Sequence, residues 1–423
     1  MVREFWVSIT ALLVSIAVLL LGVGLMGTLL SVRLNFEAMH PQTKGLVLSA
    51  YYIGLVIGSQ QAGRVIRQAG HIRAFAIFAA LSTVAILLQG LYVAAVSWFL
   101  LRVLVGFSIS GIYMVVESWL NERADSRSRG VVFSVYQIIT YAAIGAGQLL
   151  MHLGDPMMPD LFMIVGLLFA LCLVPVALSR ASNPPEPLPH ASMALGAAWR
   201  GSRLAVITCV GAGILSGAAF TLVPIAVLGM GLSVDEVAPV MAGLILGGVV
   251  LQWPIGHYSD RYGRRPLIFI VGIAAALVAL SPVYVGVTYS HWLLVGKGVL
   301  LGGLVFTLYP LAVSLANDTV PGGNFVAVSG ALIFLWGIGA AVSPILGGYV
   351  IAHTPPGGVF VYMAVVSGIV AAAAMATEQR YIRMRNPFRT MGRSSAVVLE
   401  MDPRAHEFED EEDTPEWFSS SGP

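Results

Sequence analysis

The feature that most constrains this chain is the recurrence of long apolar segments. A helix crossing the hydrocarbon core of a bilayer needs roughly 20 apolar residues. Twelve candidates occur, near 5–31, 45–66, 73–94, 97–119, 131–152 and 160–180, then 204–229, 237–258, 266–287, 290–316, 325–352 and 357–377. With 57% hydrophobic and 11% charged residues and a mean hydropathy of +0.84, the chain lacks the polar surface of a water-soluble domain, which carries about 25% charged residues. The expected fold class is all-α: a polytopic membrane protein with 12 transmembrane helices in two six-helix pseudo-symmetric bundles. The first apolar stretch, from Phe5 to Leu30, is longer than a signal-peptide core of about 7–15 residues and no small-residue cleavage site follows it, so it reads as a span.

The charges give an orientation. Of the 23 Lys and Arg residues, Arg33 and Lys44 flank the first outer loop and Arg102 and Lys297 lie inside spans, while all the others fall on the opposite side or in the termini. By the positive-inside rule both termini are expected in the cytoplasm and the protein in the inner membrane. Residues 183–203, with Pro184, Pro185, Pro187 and Pro189, form a cytoplasmic linker between an N-terminal bundle (1–182) and a C-terminal bundle (204–380). Residues 381–423 follow, a basic run suited to anionic lipid and then the block Glu407–Asp413, which reads as a disordered acidic tail. The net charge of +1 averages these opposed sets and gives no ground for a nucleic-acid partner. Cys172 and Cys209 both lie in apolar runs, without the clustering of a metal site.

The two halves repeat. Gly54 and Gly247, Gly63 and Gly256, and Gly70 and Gly263 are each separated by 193 residues; Gly106 and Gly302, and Ser118 and Ser314, by 196. Two six-helix repeats around a midplane cavity form the architecture of many secondary transporters.

Between the eighth and ninth spans stands Gly256-His257-Tyr258-Ser259-Asp260-Arg261-Tyr262-Gly263-Arg264-Arg265. It resembles the Gly-x-x-x-Asp-Arg-x-Gly-Arg-Arg signature of the major facilitator superfamily. The resemblance implies a cytoplasmic latch, with Gly256 allowing close helix packing, Gly263 the turn, and Asp260, Arg261, Arg264 and Arg265 the charged contacts. The equivalent first-half loop carries Arg67 in place of the acid. Arg102-Val103-Leu104-Val105-Gly106-Phe107-Ser108 resembles the family's Arg-x-x-x-Gly-x-Gly pattern. Together with Gln252-Trp253-Pro254 and Phe306-Thr307-Leu308-Tyr309-Pro310 it is similar to the YcaD-like branch. No nucleotide-binding, hydrolase or zinc-protease pattern stands in a suitable context, so no enzyme activity, cofactor or metal is expected.

Ionisable groups inside spans are costly and mark function. Arg102 and Lys297 occupy repeat-related helices and are candidates to face the cavity, with Arg33 at its outer mouth. Glu117 is the only carboxylate within a span; an inner-gate pair with Arg127 or Arg129 is one role, a proton carrier the other. Tyr136, Gln137, Gln148, Gln252 and Tyr309 are candidate lining residues, as are Tyr51, Tyr141, Thr221 and Trp336. The expected function is secondary active transport of a small organic solute by alternating access. Proton coupling is favoured, efflux is placed ahead of uptake, an anionic or carboxylate-bearing solute is preferred, and the working unit is a monomer in the bilayer. A membrane sensor signalling through the acidic tail and a facilitative uniporter are the alternatives.

Overall fold

In a bilayer every backbone N–H and C=O must find its partner within the protein, which leaves an apolar segment little choice but helix. The computed structural model describes residues 2–123, 129–178, 195–285, 291–319 and 325–377, and among these it contains helices and no strand. The first half consists of α1 (Val2–Phe36), α2 (Pro41–Ala69), α3 (His71–Leu91), α4 (Ala95–Arg123), α5 (Arg129–Leu149), and the broken span α6 (Asp160–Leu171) and α7 (Leu173–Leu178). A short α8 (Leu195–Gly201) lies within the linker expected from sequence. The second half has the broken span α9 (Arg203–Thr221) and α10 (Val223–Gly229), then α11 (Val234–Tyr262), α12 (Arg264–Val285), α13 (His291–Thr319), α14 (Phe325–His353) and α15 (Gly358–Ala376). Each of the twelve expected spans therefore has its helix. The acidic tail and most of the Pro-rich linker lie outside the described residues.

Among the described residues, ten helices are long and apolar enough to cross a membrane. α2 is long enough but falls short of this measure in apolarity, because of Tyr51, Tyr52, Ser59, Gln60 and Gln61. α2 packs against α14, and α5 against α11. These are the seams between the halves, where Tyr51, Ser59, Gln137 and Gln148 face a cavity rather than lipid.

The repeat is visible in the packing. A Cβ on Gly54 would collide with the Val103 carbonyl and one on Gly106 with the Tyr51 carbonyl. At the equivalent places in the second half, Gly247 meets the Val299 carbonyl and Gly302 that of Leu244. Small residues here let α2 approach α4, and α11 approach α13, to backbone contact, the usual means of association between helices in lipid.

One end of the molecule is basic. It carries Arg64, Arg67 and Arg73 at the α2–α3 turn, Arg200 and Arg203 beside α8, and Arg261, Arg264 and Arg265 at the α11–α12 turn. We call it the basic face, and the other end the far face. The halves touch toward the far face. Gly45 lies against the Pro344 carbonyl, Gly348 against that of Pro41, and His152 Nδ1 is 3.1 Å from Asp235 Oδ1. Toward the basic face, Ile138, Trp253, Tyr258 and Ile333 are exposed, so the halves are splayed there.

Candidate functional site

The splay leaves a cavity of about 1070 Å³ between the halves, lined by residues of both. Of the sequence candidates, Arg102, Glu117, Tyr136, Gln137, Gln148, Gln252 and Tyr309 all line it. Tyr51, Tyr141, Thr221 and Trp336 line it as well.

Arg102 comes from α4, seven residues from its far-face start, and is 4% exposed. Its guanidinium lies over the Tyr51 ring, with Cζ 4.7 Å from the ring centroid. Arg102 Nε is buried without a hydrogen-bond partner. A guanidinium carries five donors and no acceptor, so this group enters the cavity with hydrogen-bonding capacity to spare.

Glu117 lies farther along α4, near the splayed end. Its side chain is exposed to the opening, and Tyr136 Oη donates to Glu117 Oε1 at 3.3 Å. Arg127 and the Arg129 side chain, its expected ion-pair partners, lie outside the described residues. Along α4 Glu117 is 15 residues from Arg102, roughly 22 Å at 1.5 Å per residue, so the two do not pair.

Gln148 is 1% exposed and already occupied. Its Nε2 donates to the Gly24 carbonyl at 2.9 Å, and Thr28 Oγ1 donates to its Oε1. It ties α5 to α1 and braces the wall. Gln137 is hydrogen-bonded to Tyr141. Gln252 and Tyr309 lie on the facing half.

Two expected cations stand elsewhere. Arg33 is at the far face, where Nε donates to Glu37 Oε1 at 2.7 Å and Nη1 donates to the carbonyls of Pro156 and Met157. These bonds brace the loop before α6, and Arg33 is absent from the cavity lining. Lys297 shares a face of α13 with the exposed Leu293 and Leu300, at spacings of four and three residues, and is absent from the cavity lining. This is the lipid-facing side of the helix, from which a long amine can snorkel.

The latch motif is built within the second half. Arg264 Nη1 is 2.6 Å from Asp260 Oδ1 and donates to Ser259 Oγ at 2.6 Å, while its Nε donates to Asp318 Oδ2 at 3.2 Å. Arg265 donates to the Ala374 and Met375 carbonyls, and Arg261 sits over the Tyr262 ring. Gly263 has φ +94°, a conformation that favours glycine, and its repeat mate Gly70 has φ +80°. Gly256 differs from expectation, because a Cβ there would meet nothing within 4 Å. Close packing at Gly256 is absent while the basic face is splayed. In the first half His71, 193 residues before Arg264, lies 3.2 Å from Ser118 Oγ instead of in a charged cluster.

Several lining residues were not read from sequence. Tyr113 is one turn from Glu117 on the cavity face of α4, and that i, i+4 spacing was the available signal. Phe220 and Phe306, stacked with centroids 5.2 Å apart, line the second half; nothing in an apolar run sets such residues apart.

Twelve spans in two repeats, closed together at one face and parted by a cavity at the other, define a membrane transporter of the two-bundle type. The Major Facilitator Superfamily model matches residues 12–250 and 230–397. The chain belongs to that family. Similar relatives include the MFS-type transporter YE1530 of Yersinia enterocolitica, 28% identical over 79% of this chain and 86% of that protein. Another is the MFS-type transporter YcaD of Escherichia fergusonii, 27% identical over 85% and 92%. Among solved structures the nucleoside transporter NupG aligns with a TM-score of 0.72 at 15% identity, covering 87% of this chain and 98% of that one. A bacterial homolog of the human lysosomal transporter Spinster, inward-facing and unoccupied, aligns at 0.70 and 14% identity, over 88% and 96%. These two likenesses concern the fold.

Proposed function

We propose that this chain is a secondary active transporter that moves a small, carboxylate-bearing organic solute by alternating access, coupled to protons. The observation that carries the reading is the cavity itself. It is shut toward the far face by inter-half contacts and open toward the basic face, and its described lining residues include one buried cation and one carboxylate. The positive-inside rule makes the basic face cytoplasmic, with both termini there, in the inner membrane. The conformation is then inward-open. Glu117 is the carboxylate that lines the cavity among the described residues, and it sits where protons from the cytoplasmic side reach it. Efflux is the proposed direction: Ser343-Pro344-Ile345-Leu346-Gly347-Gly348 in α14 partly matches the Gly-Pro-x-x-Gly-Gly pattern associated with antiport in the family, although the fifth span, where that pattern belongs, carries Gly147-Gln148-Leu149-Leu150-Met151-His152 instead. Both repeats lie in one chain, so a monomer suffices.

The test is purified protein in liposomes holding a pH-sensitive dye, with pools of candidate solutes added under an imposed membrane potential. Solute-dependent proton movement that disappears in Glu117→Gln supports proton coupling through this residue, and its direction separates antiport from symport. Solute flux without proton movement, and without accumulation against a gradient, would make the protein a facilitative uniporter.

A further inference from the structure

The sequence offered three cations for an anionic substrate, and the structure leaves one at the cavity. Arg33 is paired with Glu37 and two carbonyls, and both it and Lys297 lie outside the lining. Arg102 alone among the described lining residues carries a positive charge. It is 4% exposed, stacked on Tyr51, and its Nε has no acceptor. A buried charge without a partner is expensive, and a planar guanidinium is matched in geometry by a carboxylate, which accepts two parallel N–H bonds. Glu117 cannot serve as that partner, since it lies at the other end of α4.

The rest of the cavity limits what the anion is attached to. The second half contributes the stacked pair Phe220 and Phe306, then Tyr309 against Trp336 at 6.1 Å, and Pro310 and Val313. Aromatic and apolar side chains make up most of this wall, with Ser216, Thr221, Gln252 and Ser314 as its uncharged polar members. Among the described lining residues a second anionic group on the solute would find no second cation, and toward the mouth it would meet Glu117.

We infer that Arg102 and Tyr51 form the head-group site for the single carboxylate of an amphipathic monoanion, whose aromatic or alkyl body lies along Phe220, Phe306 and Trp336. The inference rests on the transporter reading above and narrows its substrate class to lipophilic monocarboxylic acids, excluding dicarboxylates, phosphate esters and amines. The acid docks carboxylate-first at the closed end of the cavity with its apolar body trailing toward the mouth.

A matched series tests this on the full-length protein in nanodiscs by calorimetric titration: 4-phenylbutyrate, its neutral isostere 4-phenylbutyramide, 4-phenylbutylamine, and the dianion adipate. The acid should bind at least tenfold tighter than the amide, with the amine and adipate weaker still. Arg102→Gln should erase the preference for the acid while leaving amide binding within about twofold, which also shows that the variant is folded. Equal binding of acid and amide, tighter binding of adipate, or an acid preference that survives in Arg102→Gln would overturn the assignment. Proton-linked movement of the amide or the amine in liposomes would overturn it too, yet leave the transporter reading standing. If none of the four compounds binds the wild-type protein, the monocarboxylate assignment is overturned, and the pooled-solute flux assay then decides the transporter reading by itself.

Discussion

The Arg102 guanidinium lies 4.7 Å from the centre of the Tyr51 ring, across a helix pair that Gly54 and Gly106 bring to backbone contact. The stack is possible because α2 and α4 approach so closely, and it orients the one cation among the described lining residues. A cation–π contact contributes about 0.5–2 kcal/mol, so replacing the ring should weaken the binding of an anion at Arg102 by up to about thirtyfold. Tyr51→Leu should therefore lose affinity for 4-phenylbutyrate, with Tyr51→Phe close to wild type. A Phe variant as weak as Leu would place the tyrosine hydroxyl, rather than the ring, in the site.

Glycine positions divide by what a methyl group would meet. Gly54→Ala and Gly302→Ala each drive a Cβ into a backbone carbonyl, and overpacking of this kind costs about 1–3 kcal/mol. Both should lower the melting temperature of the detergent-solubilised protein. Gly256→Ala meets open space in this conformation and should melt at or above the wild-type temperature. If Gly256 becomes a packing surface when the basic face closes, flux will fall in this variant although stability does not.

The Asp260–Arg264–Asp318 cluster should matter little to stability. Both acids are more than half exposed, and exposed ion pairs contribute about 0–1 kcal/mol. Asp318→Asn should leave the melting temperature within a few degrees of wild type while lowering flux, the signature of a latch. Loss of stability with unchanged flux would assign the cluster to folding.

His152 and Asp235 bridge the halves at the far face, with Nδ1 and Oδ1 3.1 Å apart. In a His152→Cys, Asp235→Cys double variant, mild oxidation should cross-link the two halves and stop flux, and reductant should restore it. The native Cys172 and Cys209 are buried and give little background. Flux that persists after complete cross-linking would show that the far face does not need to part.

The spans were legible because length and apolarity suffice to specify a helix in lipid, and the repeat because glycines at 193- and 196-residue spacings mark equivalent crossings. The site was legible in part. Arg102 and Glu117 were found as charges in apolar runs, and the Tyr and Gln candidates of α5 as polar residues where lipid contact would penalise them. Phe220, Phe306 and Tyr113 were not found, since aromatic residues belong as readily to a lipid-facing surface as to a cavity wall.

The contrast between Arg102 and Lys297 shows where sequence stops. Both are cations within the apolar stretches of the repeat-related helices α4 and α13, yet one is stacked beneath the cavity and the other faces outward. The number of helices, their division into two halves and the glycines at which they cross can be read from the residues alone, because they follow from backbone satisfaction in hydrocarbon and from close helix approach. Which face of each helix lines the cavity, and which end of the molecule is shut, depend on how the helices pack together. In a bilayer the lipid side and the packed side of a helix are equally apolar, so the hydrophobic period that orients a helix in water carries little information here, and the facing of a side chain is settled by its neighbours.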